Sequence, residues 1–497
     1  MKKVGIIGGG VAGLSTGIYA LQAGFEATIY EKNDKVGGEC ITWERKGFHI
    51  DNCIHWLTGT KEETKLYKIW ENLGVLGKGI SVRQPNLFYA VEYNGQKGVL
   101  WKDLEKTEKE LVAVAPEDEG EIRKLMAHVK LVETMEMPTD KPMEKMNPIE
   151  IFKLGLSMKD MAQVMKEYGK ITIGQLAERF KHPLLQALIR DYMPEDFLAY
   201  AFIVSYATFT SGNGGVPEGG SYKMIERMRT RFESLGGKIY TKSPVTKIEI
   251  TQNKKARGFM LQDGKAVEVD YIVCSCDTSY TFGHLLDQSY MEKKLRKAYG
   301  DRKSYPVNSA FQVALGVEGE FEEVEEGLVF SCIPLQIGKQ KIDRMGIKNY
   351  RNYGAYIAPK GKTVLQSHFL QCEEDYEYWE ELYKDRTNYQ AKKEGLGAEV
   401  LKRIEMRFPA YKGRLEVIDI WTPITYRRYC NAYKGAYMSF ITTSNSKQNS
   451  YKMCIKGLDN VILASQWLLS PGGLPTAAVM GKFALWLIEE KERKINK

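Results

Sequence analysis

Three glycines, Gly8, Gly10 and Gly13, follow the apolar run Val4, Ile6 and Ile7 near the start of this 497-residue chain. A short apolar run ending in glycines reads as a buried parallel strand. The G-x-G-x-x-G spacing divides three tasks. Gly8 allows a tight turn from strand into helix, Gly10 lets the backbone approach a pyrophosphate, and Gly13 lets the helix pack closely on the sheet. The first helical residues, Val11, Ala12 and Gly13, offer free N–H groups and a positive dipole end to phosphate. Leu14, Ile18 and Leu21 continue at helical spacing, Ala23-Gly24 ends the helix, and residues 27–30 read as a second strand. That strand runs into Glu31, 18 residues after Gly13, and then Lys32. An acid at this position accepts hydrogen bonds from ribose hydroxyls. The chemistry implied is dinucleotide binding.

Two other readings of this opening fail. No charge stands between Lys3 and Glu26, as in a signal peptide or membrane anchor. A signal peptide needs a small-residue cleavage site after its apolar run. Here Gly-Phe-Glu-Ala-Thr follows and strand-like sequence continues. A spanning helix needs roughly 20 predominantly apolar residues, and this stretch carries seven glycines, from Gly5 to Gly24.

Gly37 and Gly38, just after the ribose acid, form a second phosphate-approach element, followed by Glu39. The segment Gly47-Phe48-His49-Ile50-Asp51-Asn52-Cys53-Ile54-His55-Trp56 comes next. Near the end, residues 460–481 carry Ser465, Gln466 and then Pro471-Gly472-Gly473-Leu474-Pro475-Thr476. Together these resemble the phytoene desaturase, carotenoid isomerase and retinol saturase superfamily, which shares the amine oxidase type of FAD domain. Residues 217–221, 244–248 and the Thr422-Pro423-Ile424-Thr425 element with Arg427, Arg428 and Tyr429 resemble further landmarks of that family. The resemblance covers about half the chain and is weak over residues 81–216 and 291–414. Glu39, Cys53 and Ser465 depart from it, standing where the family usually has Arg, Gly and Gly.

The resemblance implies an α/β fold in which a Rossmann-like FAD-binding domain is interleaved with an α+β substrate domain. The expected FAD domain comprises residues 1–80, 217–290 and 415–497, and the substrate domain 81–216 and 291–414. It implies non-covalent FAD, since no cysteine lies near Pro471-Gly472-Gly473. Val245 would meet the adenine through its backbone. Ile54 and His55 would run beside the flavin ring, with His55 the catalytic candidate. Ser465 and Gln466 would lie at the second phosphate or ribitol. Gly473, Leu474, Pro475 and Thr476 would bring a helix start to the ring, where N–H groups stabilise a developing anion. Tyr429, Arg428 and Glu218 are weaker candidates. Gly212, Gly214 and Gly215 are spaced like a second dinucleotide turn, but no strand–helix frame is expected around them. Nicotinamide is therefore expected only as a transient electron donor.

Composition narrows the class. Lys and Arg number 71 and Asp and Glu 63, a net charge of +8. The charges are well mixed and no nucleic-acid motif accompanies them. Eight cysteines show no C-x-x-C and no zinc spacing, so no metal is expected and reduced thiols in a cytoplasmic protein are the plain reading. Cys53 alone invites another, contact with flavin or substrate. Residues 141–170 mix lysines with Met143, Met146, Phe152, Met158, Met161 and Met165. Core packing is the ordinary reading. An adaptable apolar pocket or contact with an anionic membrane surface are the alternatives. Residues 197–209, FLAYAFIVSYATF, are too short to span a bilayer and read as a buried helix or strand. By the resemblance they wall a substrate channel.

A flavin exchanges hydride at its N5. The insertions are rich in Tyr, Phe, Met and Leu, which suits a small lipophilic partner. The function expected from the resemblance is an oxidoreductase that saturates, desaturates or isomerises a carbon–carbon double bond of an isoprenoid- or fatty-acid-like molecule. An amine oxidase, with Tyr429 and Trp56 or Trp467 caging a nitrogen, and a flavin-retaining lipid-binding protein are the alternatives.

Overall fold

Lys3–Ile7 (β1), Val11–Gln22 (α1) and Glu26–Tyr30 (β2) form a β–α–β unit in the computed structural model, which describes residues 1–251, 255–446 and 450–495. β1 runs parallel to β2, with Val4 opposite Ala27 and Ile7 opposite Tyr30. Val4, Ile6 and Ile7 are all buried, as a strand covered on both faces requires. Lys238–Tyr240, Tyr271–Cys274 and Leu458–Leu463 join the sheet in parallel, and Cys454–Ile455 closes one edge antiparallel. One six-stranded sheet thus gathers strands from three distant stretches of chain.

Close packing holds α1 in place. A Cβ at Gly13 would lie 2.0 Å from the Gly8 carbonyl oxygen. The closing helix Leu474–Ile495 lies on the far side of α1, where Ser15 Oγ donates to the Ala478 carbonyl at 2.7 Å. A Cβ at Gly481 would meet the Ala12 carbonyl oxygen at 2.6 Å, so a small residue is needed there too.

A second, seven-stranded sheet runs in the order Leu415–Trp421, Ser309–Glu318, Lys362–Gln371, Gln340–Asn349, Gly327–Ile337, Leu87–Tyr93, Gln96–Trp101. Phe311 and Trp379 stack in its core against Val400 and Ile404 of the helix Arg386–Arg407. Leu87–Tyr93 and Gln96–Trp101 also support a helical cluster that includes Tyr200–Thr210. Within residues 197–209, then, a helix forms, and it buries Phe202, Ile203 and Tyr206.

Two expectations change. A strand, Gly214–Pro217, and a helix, Gly220–Ser234, do follow Gly212. The strand is antiparallel to Leu57–Thr58 and Val82–Arg83, so it gives no parallel β–α–β frame for a second dinucleotide. Core packing also fails for part of residues 141–170. The helix Pro148–Ser157 buries none of its residues; Ile149 and Phe152 are each 67% exposed. Met161 does pack in the core. Among the described residues, no helix is long and apolar enough to cross a membrane.

Candidate functional site

One cavity of about 1650 Å³ begins at the carboxyl end of the parallel sheet and continues into the helical cluster. Its first part is the turn after β1. Gly8 adopts φ +101°, and its N–H donates to the Tyr30 carbonyl at 2.9 Å. Gly10 caps α1 in extended backbone, and a Cβ there would touch only Gly38 Cα, at 3.8 Å. The space beside Gly10 is therefore open cavity. Gly37 donates its N–H to the Gly9 carbonyl, which sets Gly37 and Gly38 against the same turn.

Glu31 is 5% exposed, and its two carboxylate oxygens accept from Gly9 N–H and Asn33 N–H, both at 2.8 Å. These bonds fix the carboxylate at the cavity wall and leave lone pairs for a ribose. Lys32 Nζ donates to the Arg428 carbonyl and the Asn431 amide oxygen, and burial lowers its pKa. Val245 lines the same end, next to Pro244. Ser275, at the end of the strand Tyr271–Cys274, faces this space too. Its buried hydroxyl has no partner among the described residues. A buried hydroxyl without a partner is costly unless a ligand completes it. The free helix N–H groups, the anchored acid, the room beside Gly10 and this hydroxyl fit a dinucleotide's diphosphate and ribose.

The middle of the cavity is built on a hairpin. Thr42–Arg45 and Phe48–Asp51 are joined by Lys46-Gly47, both at positive φ, as a tight two-residue turn demands. Each residue beyond the hairpin is clamped. Asp51, fully buried, accepts from the Ser221 hydroxyl at 2.6 Å and from the N–H groups of Ser221, Cys53 and Ile54. Asn52 Oδ1 accepts from Trp421 Nε1 at 2.7 Å and the Tyr426 hydroxyl at 3.0 Å. The His55 carbonyl accepts from the Tyr353 hydroxyl at 2.6 Å. So held, the backbone turns the His55 and Trp56 side chains into the cavity.

His55 is open to the cavity yet deep in the protein. Burial, aided by the charges of Lys348 and His368, pushes its pKa down to about 3. His368, on the strand Lys362–Gln371, also lines the cavity and is pushed down to about 4 by burial. Both imidazoles are neutral at ordinary pH, so each offers one N–H donor and one acceptor nitrogen.

The closing segment completes this region. Gln466 Nε2 donates to the Glu39 carboxyl, and Gln466 Oε1 accepts from Gly473 N–H at 2.7 Å. Ser465 caps the short helix Gln466–Leu468. Leu474 and Pro475 line the cavity at the start of the closing helix, whereas Thr476 is buried behind the wall, as are Gly13 and Ile54. Beyond His55 the wall carries the apolar Trp56, Met193, Phe197, Leu198, Ala201 and Val204, with the charged Arg190, Asp191, Glu195 and Asp196 among them.

Of the remaining candidates, Tyr429 and Trp467 line the cavity and Glu218 does not. Glu218 is exposed and pairs with Ser81. Tyr429 sits beside the ribose-acid turn, its carbonyl held by Asn33. Trp467 is 2% exposed, packs on Tyr299 and Phe440, and lines the cavity with one edge. Sequence reasoning missed His368, Gln312, Tyr426 and Tyr437, all of which line the cavity. Only Gln312 carries a local signal, a polar group inside the otherwise apolar run of SAFQVALGVE; which face it serves depends on the partner strands.

The model of a protein family described as flavin containing amine oxidoreductase matches residues 11–482. A phytoene desaturase (lycopene-forming) from Paracoccus sp. is 24% identical over 57% of this chain and 56% of its own length. A 4,4'-diaponeurosporene oxygenase from Staphylococcus haemolyticus is 24% identical over 100% of this chain and 98% of its own. Among solved structures, an oxidoreductase from Methanosarcina mazei superposes with TM-score 0.61 at 15% identity, covering 98% of this chain and 100% of that one. A putrescine oxidase variant gives TM-score 0.61 at 13% identity, covering 98% and 99%.

Proposed function

The chain belongs to the flavin-containing amine oxidoreductase family and is an FAD-dependent oxidoreductase, and from that premise we propose that it saturates, desaturates or isomerises a carbon–carbon double bond in a lipophilic, isoprenoid- or fatty-acid-like molecule. The observation that carries this reading is the set of apolar side chains beyond His55, Trp56, Met193, Phe197, Leu198, Ala201 and Val204, which line the cavity with Arg190, Asp191, Glu195 and Asp196 at the same end. A single drug-sized ligand fills about 300–1,000 Å³; about 1650 Å³ has room for cofactor and an extended partner end to end. Relatives named for phytoene and 4,4'-diaponeurosporene support the same chemical class.

In this reading the diphosphate of non-covalent FAD lies at Gly8, Gly10 and the first turn of α1. Its ribose hydroxyls meet Glu31 beside Lys32, and Val245 meets the adenine. Gly37, Gly38 and Glu39 approach from one side, and Ser465, Gln466 and Gly473 from the other. Bound there, the flavin supplies hydride exchange. Trp56, Phe197 and Val204 exclude water from the reacting bond. The neutral His55 imidazole relays the accompanying proton, taking one at its free ring nitrogen as it gives one from the other and so staying neutral, with His368 lining the same cavity. NADH or NADPH serves as a transient electron donor.

An anionic lipid surface is the proposed source of the partner molecule. The exposed helix Pro148–Ser157 carries Ile149, Ile151, Phe152 and Leu156 with Lys153, and Lys159 and Lys166 follow. Apolar side chains flanked by lysines match such a surface in polarity and charge.

An anaerobic visible spectrum of the FAD-loaded protein tests the central reading. Bleaching by NADH or NADPH with recovery on adding a polyene, or bleaching by the polyene itself, is expected. Bleaching only by amines, with hydrogen peroxide released in air, overturns it. So does a folded protein that retains no flavin after reconstitution.

A further inference from the structure

Cys40 and Cys53 meet in the cavity wall. In the hairpin, Thr42 stands opposite Asp51 and Trp43 opposite Ile50. Cys40 and Cys53 flank the open end of this ladder, each two residues beyond its last pair, Thr42 and Asp51. Opposed residues of an antiparallel pair such as Thr42 and Asp51 hold their Cα atoms about 4.5–5.5 Å apart, so the two strands leave the ladder within the span of about 4.4–6.8 Å that a disulfide bridges. The two side chains are neighbours, near enough for each to act on the other. The backbone fixes both: Cys40 N–H donates to the Gly37 carbonyl at 3.1 Å, and Cys53 N–H to the Asp51 carboxyl at 3.0 Å. Both residues line the cavity, among Gly38, Glu39, Asn52 and His55. The double-bond chemistry uses neither.

We propose that Cys40 and Cys53 form a reversible dithiol/disulfide couple that exchanges electrons with the flavin held in the same cavity. Closing the couple breaks two S–H bonds and forms one S–S bond. Two electrons and two protons leave the thiols; oxidised flavin accepts both electrons and one proton, and the other proton passes to solvent. In the opposite direction reduced flavin returns the two electrons, the S–S bond breaks and both sulfurs regain protons. Cys40 is 2% exposed and Cys53 half-buried, so the couple answers to what enters the cavity and is shielded from bulky thiols outside it. Burial and the Cys40 contact also hold the Cys53 thiol well above its ordinary pKa, which keeps it from attacking external disulfides.

The proposal rests on the flavin reading above, and one experiment separates the two. FAD-loaded protein is oxidised with diamide, desalted and titrated anaerobically with dithionite, while electron uptake is read against bleaching of the flavin band. Wild type is expected to take up about twice the electrons per flavin of Cys53→Ala. A Cys40–Cys53-linked peptide, found by alkylation and mass mapping, is expected to vanish during the titration. Cys40→Ser is a second variant with the same expectation, should Cys53→Ala fail to fold. Equal uptake in wild type and variant overturns the electron exchange. Diamide treatment of protein stripped of FAD reads the pair alone. No linked peptide with or without FAD overturns the couple itself, whereas a linked peptide in protein that cannot rebind FAD overturns the exchange by sinking the flavin reading.

Discussion

Gln466 and Glu39, 427 residues apart in the chain, are joined by a 2.8 Å hydrogen bond from the Gln466 amide to the Glu39 carboxyl. It ties the loop after the ribose acid to the loop that opens the closing helix. Burial, with Asp277 nearby, holds the Glu39 carboxyl well above the usual carboxylate range. Where the family usually has Arg, Glu39 is here a half-buried strut between the two loops. Gln466→Leu leaves both the Gly473 N–H and the Glu39 carboxyl unpaired, and a buried unpaired group costs about 1–3 kcal/mol. Glu39→Gln keeps an acceptor for Gln466. Urea unfolding of the two variants is expected to show a clear loss for Gln466→Leu and less than half of it for Glu39→Gln. Equal losses would show that the strut does not run through this bond.

Gly10 and Gly13 predict opposite outcomes from the same substitution. At Gly10 an added Cβ meets nothing closer than 3.8 Å, and φ is −72°. At Gly13 it meets the Gly8 carbonyl oxygen at 2.0 Å. Gly10→Val is therefore expected to fold with a stability change under about 1 kcal/mol and to lose FAD affinity by on the order of 100-fold, about 2.7 kcal/mol. Gly13→Ala is expected to lower the melting temperature of the flavin-free protein outright. Thermal melts of the stripped proteins, with FAD titrations of those that fold, check both.

The two cavity histidines set an acid limb for the flavin-free protein. His55 and His368 fall to about 3 and about 4 in the fold from an ordinary 6.5. Between those values and 6.5 the unfolded chain binds more protons, so stability drops as pH falls through that window. Asp277 works the other way. Burial raises it from 3.8 to about 6, so lowering the pH through that range favours the fold. A His55→Gln, His368→Gln double variant is expected to lose less of its urea midpoint between about pH 7 and about pH 5 than wild type does. An equal loss would mean that the acid limb belongs to other groups.

The dinucleotide end was legible because its parts are local. Gly8, Gly10, Gly13 and Glu31 lie within one β–α–β unit, where spacing alone fixes geometry. His55 was legible only through resemblance, since its placement depends on Ser221, Tyr353 and Trp421 from distant strands and loops. His368 and Gln312 were not legible at all. Gln312 interrupts an apolar run and His368 is one of several polar residues in KTVLQSHFLQ, and only the pairing of Ser309–Glu318 with Lys362–Gln371, which sets the two opposite each other, turns them to the same cavity. The strand Leu415–Trp421 pairs with Ser309–Glu318 in the second sheet, a partnership that no local pattern announces. The helix Pro148–Ser157 misled for the opposite reason: its apolar residues imply a core, and the fold supplies none.

That helix gives the last prediction. Asn147 caps it with a full capping box, so it is set as a helix without help from packing. Ile149, Ile151, Phe152 and Leu156 are each more than half exposed. Fully burying an aliphatic or aromatic side chain is worth about 1.5–3 kcal/mol, and partial immersion in a lipid headgroup layer recovers part of it. Lysines near an anionic surface add about 1 kcal/mol each at low salt. Flotation with phosphatidylserine-containing vesicles is expected to carry the protein up, and to carry less of it as salt rises. Phe152→Asp is expected to lose at least about 10-fold in vesicle affinity, roughly 1.4 kcal/mol. Its melting temperature should not move, because Phe152 packs on no core. If Phe152→Asp floats as wild type does, this face does not meet lipid, and its exposed side chains await another partner.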